Sequence, residues 1–317
     1  MLSGTKMSDI ELSVVIPTYN EEANVFLLYK QITEVMTSMK KPYEIIFIDD
    51  GSRDRTLPNL KSIKEKDSHV KIIVFRSNFG QTAALDAGFK NAKGKVLFAM
   101  DADLQNDPKD IPRLLKKLNE GYDCVSGWRF DRKDSFSKKI VSVFANILRK
   151  YLTKDNIHDS GCTLKAYRKE CFNDLTLFGE MHRYIPALLK WRGFKIGELK
   201  VHHHARKFGK TKYGMLRVFR GFLDLLVVKF WMQYSVRPIH FFGGMGLLMS
   251  AVGVIIGLYL TFVKYIMHIG IWGRPLLILA VLLIILGAQL LIFGLLADIM
   301  MKIYYRDVGN YSIREIL

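Results

Sequence analysis

Cysteine is scarce: Cys124, Cys162 and Cys171 are the only three in 317 residues, an odd number without a Cys-x-x-Cys spacing. That excludes a disulfide framework or a cysteine metal knuckle and fits a reducing compartment. No Gly-x-Gly-x-x-Gly follows the first strand-like run, which argues against a dinucleotide fold. A P-loop is missing too, because Gly88 and Gly94-Lys95 are one residue too far apart and Val96 stands where Ser or Thr would hold Mg²⁺. Met1 to Glu11 is short and polar and runs straight into a strand pattern, so no signal peptide is expected. Acid is short relative to base, with 30 Asp plus Glu against 47 Lys plus Arg and a formal charge of +17.

Charge is missing altogether from two stretches, the 23 residues Phe241 to Val263 and the 23 residues Pro275 to Ala297. At about 1.5 Å per helical residue each is long enough to cross a hydrocarbon core of about 30 Å, and back to back they predict a transmembrane hairpin. The basic excess lies beside it. Lys200 to Arg237 holds nine Lys or Arg and one acid, Asp224, which suits anionic lipid headgroups and not nucleic acid. The loop between the spans carries only Lys264 and Arg274 at its edges, so the basic N-terminal side is expected in the cytosol at the cell membrane, and the hairpin returns the C-terminus there.

Before the hairpin, strands and helices alternate. Leu12 to Ile16, Tyr43 to Ile48, Val70 to Phe75 and Val96 to Met100 read as strands, and Tyr122 to Gly127 as a fifth. Helices fall between them: one opened by Asn20, Glu21 and Glu22 and running to about Lys40, one capped by Ser52 or Asp54, one through Ala92, and one from Asp107-Pro108 to Asn119. This order calls for a mostly parallel sheet with right-handed crossovers and a ligand site at its carboxyl edge. Three polar clusters reach that edge: Pro17-Thr18-Tyr19-Asn20-Glu21, Asp49-Asp50 and Asp101-Ala102-Asp103. Two hard oxygen donors spaced i, i+2 suit a Mg²⁺ or Mn²⁺ that already carries a diphosphate; the alternative is a pair of turn-capping carboxylates. His202-His203-His204 does not suit a metal, because consecutive strand residues face opposite ways.

Taken together, Val15-Ile16-Pro17-Thr18-Tyr19-Asn20-Glu21-Glu22, Ile48-Asp49-Asp50-Gly51-Ser52, Asn78-Phe79-Gly80 and Asp101-Ala102-Asp103-Leu104-Gln105 resemble the family 2 glycosyltransferases of GT-A fold. Asp159 to Arg168, His182-Arg183-Tyr184-Ile185-Pro186 and Arg206-Lys207-Phe208-Gly209-Lys210-Thr211-Lys212-Tyr213 narrow the resemblance to the polyprenyl-phosphate glycosyltransferases, the branch of dolichol-phosphate mannosyltransferase and the undecaprenyl-phosphate sugar transferases. It covers roughly residues 11 to 240 and extends to the two-span tail.

The resemblance implies that Pro17, Tyr19, Glu21, Asp49 and Asp50 hold the nucleoside and that Asp101, Asp103 and Gln105 hold the cation. Arg206 and Lys210 would lie on a basic loop over the diphosphate. Arg129 and Arg132 follow the fifth strand and are assigned to the acceptor phosphate. Asp103 and Arg129 thereby join Asp159 as the expected catalytic set. The base remains open, because some relatives carry an acid where Cys162 stands and others at the position of Asp159.

The implied reaction is metal-dependent inverting transfer of a hexose, mannose or glucose, from a GDP-mannose or UDP-glucose type donor to dolichyl or undecaprenyl monophosphate. The expected layout is a cytosolic GT-A domain over 1–213, interfacial amphipathic helices over 214–238, including Met215 to Trp231, and the hairpin over 239–317. Oligomeric state is left open between monomer and homo-oligomer. Two rivals stand beside this reading: a processive polysaccharide synthase, whose Gln-x-x-Arg-Trp segment this chain lacks, and a non-enzymatic membrane scaffold.

Overall fold

The computed structural model describes residues 10–129, 157–204 apart from 174 and 178, positions 227, 229, 230, 233 and 234, and residues 237–271 and 275–308. The chain divides into two compact units, Met1–Val228 and Lys229–Leu317.

The first unit is built on a seven-stranded sheet. Strands β1 (Leu12–Thr18), β2 (Tyr43–Asp49), β3 (Val70–Val74) and β4 (Val96–Ala99) alternate with helices α1 (Val25–Ser38), α2 (Thr56–Lys66) and α3 (Gln81–Asn91). Next come a 3₁₀ turn, Pro108–Asp110, and α4 (Ile111–Leu118), then β5 (Cys124–Arg129), β6 (Lys165–Arg168), α5 (Ile185–Trp191) and β7 (Ile196–Val201). The spatial order is β3-β2-β1-β4-β6-β5-β7. All neighbours run parallel except β6, which is antiparallel to both β4 and β5. Continuous apolar runs are what a strand covered on both faces requires. Accordingly Val14, Val15 and Ile16 of β1 and Leu97 and Phe98 of β4 are wholly buried.

From β1 the chain winds outward to β2 and β3, then returns to lay β4 on the other side of β1. That reversal makes the carboxyl ends of β1 and β4 a topological switch point, where the diverging connections leave a crevice. Pro17 and Asp101 stand at its two lips.

Helix α1 starts at Val25, four residues later than the Asn20-Glu21-Glu22 pattern predicts. Asn20 is instead left-handed, φ 55°, and its Oδ1 accepts from Arg53 N at 2.8 Å. Ser52 Oγ accepts from Asn20 N at 3.0 Å, and Glu22 accepts from Arg55 N at 2.9 Å. Two loops at adjacent strand ends are tied together, and the capping side chains are spent on that tie. Asp107 does cap, accepting from Lys109 N at 2.9 Å, but the first turn is 3₁₀. His202 and His204 fasten the exit of β7 to this segment: His202 N donates to Asp110 at 2.7 Å, and His204 Nε2 lies 3.1 Å from Asp107.

In the second unit α6 (Ile239–Tyr265) and α7 (Pro275–Val308) pack against each other. Ile239–Tyr265 and Pro275–Met301 are long and apolar enough to cross a membrane, with mean hydropathies of 2.2 and 3.1. Most of the 214–238 segment assigned to interfacial helices lies outside the described residues, although positions 227, 229, 230, 233 and 234 are helical.

Candidate active site

The carboxyl edge gathers the three clusters that the sequence singles out. Asp49 ends β2 in register with Thr18 of β1, and Asp50 N donates to Thr18 O at 2.9 Å. The two adjacent carboxylates then do different work. Asp50 accepts Phe79 N at 2.7 Å through Oδ1 and Gly80 N at 2.9 Å through Oδ2. Both oxygens therefore hold the Asn78-Phe79-Gly80 loop against the sheet. Burial pushes the Asp50 pKa up against the pull of those two N–H groups. Gly51 makes the turn possible: its φ is 69°, and a Cβ there would stand 2.7 Å from Ser77 C.

Asp49 is 1% exposed, and its Oδ1 accepts no hydrogen bond from the described residues. A buried acceptor without a donor costs about 1–3 kcal/mol, so an orphan at the carboxyl edge of the sheet is poised for a ligand's N–H or O–H. Tyr19 and Glu21 follow β1 on the same edge, where Glu21 accepts from Asn24 Nδ2 at 2.5 Å and Glu21 N donates to Thr56 Oγ1 at 2.8 Å. Glu21 thus sits in the loop tie.

Across the switch point Asp101 and Asp103 follow β4. Leu104, left-handed at φ 60°, turns the chain so that Asp103 Oδ1 accepts from Gln105 N at 3.2 Å. Asp103 is 8% exposed. Asp101 Oδ1 accepts from Gln81 Nε2 at 2.7 Å. Burial first and the Asp103 charge second push the Asp101 pKa up to about 6. The pair fits a hard divalent cation, because two crowded carboxylates gain from a positive charge between them. Among the described residues no third His, Cys, Asp or Glu completes a closed metal cage, so an ion there would take its remaining ligands from substrate and water. Gln105 contributes only a long approach of Nε2 to His204 O, 3.5 Å.

Arg129 and Asp159 come together at the end of β5. Arg129 Nε donates to Asp159 Oδ2 at 2.7 Å and Nη2 to Oδ1 at 2.9 Å. The two residues given separate catalytic roles by sequence are one bidentate pair. Cys162 stands apart from acid–base work: burial pushes its thiol up to about 11, and Sγ approaches Leu164 O at 3.8 Å. Cys124 and Cys171 are likewise buried free thiols. Arg132, Arg206 and Lys210 lie outside the described residues.

A small cleft opens here, lined among others by Pro17, Gln81, Asp101, Thr163, Lys165, Tyr167 and His182. Gln81, Lys165 and His182 are absent from the residues expected by sequence. His182 is held by Thr82, with Oγ1 and Nδ1 2.7 Å apart. A signal for Lys165 does exist: it is a cation set between the apolar residues Leu164 and Ala166-Tyr167.

Comparison with known proteins agrees with this geometry. The family model described as Glycosyl transferase family 2 matches residues 13–176. A dodecaprenyl-phosphate galacturonate synthase of Rhizobium johnstonii is 43% identical over 317 residues, spanning 98% of this chain and 94% of that protein. An undecaprenyl-phosphate 4-deoxy-4-formamido-L-arabinose transferase of Shewanella sediminis is 35% identical, spanning 96% and 92%. Among solved structures, glucosyl-3-phosphoglycerate synthase from Mycobacterium tuberculosis with Mn²⁺, uridine diphosphate and product has a TM-score of 0.55 at 18% identity, covering 69% of this chain and 80% of that one. That likeness establishes a shared GT-A fold. With the switch-point carboxylates, the family match and two relatives aligned over nearly their whole length, the chain belongs to glycosyl transferase family 2 and is a glycosyltransferase.

Proposed function

We propose that the chain transfers a hexose-skeleton sugar from a nucleoside diphosphate sugar, of the UDP-glucose or GDP-mannose type, to a polyprenyl monophosphate such as dolichyl or undecaprenyl phosphate. The observation that supports this reading is that the carboxylate pair Asp101 and Asp103 and the orphaned Asp49 follow neighbouring parallel strands at one carboxyl edge of the sheet, with Asp101 lining the switch-point cleft, in a chain that also holds two membrane-length helices. The two relatives are named for polyprenyl-phosphate acceptors, and one of them for galacturonate, a hexose oxidised at C6.

Asp101 and Asp103 would hold Mg²⁺ or Mn²⁺, which when bound offsets the negative charge that develops on the departing diphosphate. Asp49, with Pro17, Tyr19 and Glu21 beside it, receives the nucleoside through the buried Oδ1. A lipid monophosphate has its second pKa near 6, so at neutral pH it is largely dianionic and needs no strong base. Its oxygen attacks the anomeric carbon from the face opposite the diphosphate. The C1–O bond breaks, the electron pair leaves on the diphosphate oxygen, and configuration inverts. The protein's task is to bring two anions together. Arg129, oriented by Asp159, is assigned to the acceptor phosphate with Arg132, and Arg206 and Lys210 to the diphosphate.

The catalytic unit is assigned to the cytosolic face of the cell membrane, with the polybasic segment before the first span meeting anionic headgroups. Transfer from radiolabelled nucleotide sugars to polyprenyl phosphate in detergent tests the reading, with Mg²⁺, with Mn²⁺ and with chelator. The expected result is labelled lipid with wild type plus cation, and at least about a 1,000-fold loss in Asp103→Ala with unchanged circular dichroism. Labelling of a growing polymer, or undiminished transfer by the variant, would overturn it.

A further inference from the structure

We propose that Gln81 is a positioning residue of the cation site: from the start of α3 it holds the Asp101 carboxylate preset for a divalent ion. The inference rests on the reading of Asp101 and Asp103 as the cation pair and adds the side chain through which one of them is set.

Gln81 is the first residue of α3, and the chain on each side of it is fixed. Before it, the Asp50 carboxylate takes Phe79 N and Gly80 N, and Asn78 Nδ2 donates to Asp50 O at 3.2 Å. After it, Thr82 is buried, and its Oγ1 lies 2.7 Å from His182 Nδ1. The helix itself lies tight on the sheet, since a Cβ at Gly88 would stand 2.3 Å from Val15 Cγ1 and 2.9 Å from Ile48 Cδ1. From this anchored start the Gln81 side chain crosses to the segment just beyond β4, where Nε2 donates to Asp101 Oδ1 at 2.7 Å, 20 positions away in sequence. Because α3 is already fastened by those other contacts, the bond is not needed to place the helix. What it adds is a hold on Asp101.

A carboxylate turns about a soft, roughly two-fold terminal torsion. An amide N–H only donates, so its bond favours the ionised acid, and a carboxylate with about four lone-pair sites keeps others for an ion. Thr163 bonds the same carboxylate from the β6 side of the cleft. Its Oγ1 accepts from Asn106 Nδ2 at 2.9 Å, which leaves the hydroxyl hydrogen for Asp101. Asp103 is set differently, because its Oδ1 accepts from Gln105 N at 3.2 Å within its own turn. One member of the pair is thus oriented locally and the other by partners from distant parts of the chain. Two crowded carboxylates repel until an ion arrives, so an unheld Asp101 would swing away from Asp103. The restraint that Gln81 supplies beforehand is one that ion binding need not then impose. Partners of this kind, which touch a ligand and not the metal, typically govern affinity by a factor of about 10–100.

The test is Mn²⁺ binding by the full chain in detergent, followed by the electron paramagnetic resonance signal of the free ion, for wild type, Gln81→Leu, Gln81→Asn, Asp101→Ala and the Gln81→Leu/Asp101→Ala double variant. Gln81→Leu is expected to weaken Mn²⁺ about tenfold or more, and Gln81→Asn, one methylene short, at least about threefold. Metal-free UDP binding should stay within about twofold of wild type and the thermal midpoint within about 3 °C, neither of which a damaged fold would allow. Once Asp101 is gone Gln81 should no longer matter, so the double variant should bind Mn²⁺ within about twofold of Asp101→Ala. Unchanged Mn²⁺ affinity in Gln81→Leu would overturn the proposal, as would absence of saturable Mn²⁺ binding by wild type. So would a further large loss in the double variant, which would have Gln81 meet the ion itself, or an equal loss of metal-free UDP binding. Gln81→Asn decides the matter if Gln81→Leu does not fold. Transfer to polyprenyl phosphate, run alongside, reports on the parent reading. Lipid labelling by a chain whose Mn²⁺ affinity ignores Gln81 would sink this assignment alone. A Gln81-dependent Mn²⁺ site in a chain that labels no lipid would sink the transferase reading and leave this one standing.

Discussion

Arg129 holds Asp159 through two parallel charge-assisted bonds, Nε to Oδ2 at 2.7 Å and Nη2 to Oδ1 at 2.9 Å, and its backbone N reaches the same Oδ2 at 3.3 Å. Gly161 packs against the fork, since a Cβ there would lie 3.1 Å from Arg129 Nη2. The fork fixes the guanidinium plane at the end of β5, which presets the cation proposed to meet the acceptor phosphate. Asp159 is on this view a positioning residue.

Asp159→Asn should therefore lower kcat/KM for polyprenyl phosphate about 10- to 100-fold while leaving the shape of the pH profile unchanged. Arg129→Lys, which cannot make the fork, should cost a similar factor, and the double variant should be no worse than the poorer single. A profile that loses its acidic limb in Asp159→Asn would instead show Asp159 working as a proton acceptor.

Neighbouring Asp49 and Asp50 are expected to separate function from stability. Asp50→Ala leaves Phe79 N and Gly80 N without their acceptors and should cost about 2–4 kcal/mol of folding free energy, read from urea unfolding. Asp49→Asn removes charge from a side chain whose Oδ1 has no donor among the described residues, so the fold should lose less than about 1 kcal/mol. Its nucleotide affinity should nevertheless fall about tenfold or more, measured by calorimetry with free UDP and GDP. Matching stability losses in the two variants would refute the division of labour.

The alternation of apolar strands with amphipathic helices was legible because each central strand is buried on both faces and has to be continuously apolar, as Val96 to Ala99 is. The carboxyl-edge clusters were legible for the same topological reason. What local pattern could not disclose is which long-range partner a polar side chain finds. Asn20 looks like a helix cap and is spent on Arg53, 33 positions away. Asp50 looks like a twin of Asp49, but the 78–80 loop claims both of its oxygens. The pairing of Arg129 with Asp159 across 30 positions was equally hidden, and so was Lys165, a buried charge in a short strand. In each case tertiary contact overrode local propensity.

Asp101 gives the site a pH signature with a definite sign. Its folded pKa, about 6, lies above the ordinary 3.8, so between these values the folded chain binds a proton that the unfolded chain releases. The stability this adds is fully present below about pH 4 and is lost as pH rises through about 6. At neutral pH the ionised carboxylate is a net cost, on the order of 1–2 kcal/mol once discounted for its partial exposure. Asp101→Asn should thus raise the thermal midpoint of the cation-free protein at about pH 7.5, and the advantage should vanish at about pH 4. A variant that is destabilised at both pH values would show that Asp101 is a net structural asset, contrary to this account.

The hairpin offers a test with its own internal control. A Cβ on Gly287 would stand 2.1 Å from Ser250 Oγ and 2.5 Å from Gly246 O, so α6 and α7 approach backbone to backbone through small residues. Such approach is how helices associate in lipid, where apolar area alone supplies no drive. Gly257, on α6, has nothing within 4 Å of where its Cβ would be. Gly287→Val forces the helices apart and should lower the unfolding temperature in detergent by several degrees, about 2 kcal/mol or more. Gly257→Val makes the same chemical change on an open surface and should leave that temperature within about 1 °C. Indistinguishable behaviour of the two variants would mean that the close approach of α6 and α7 is not what holds the hairpin together.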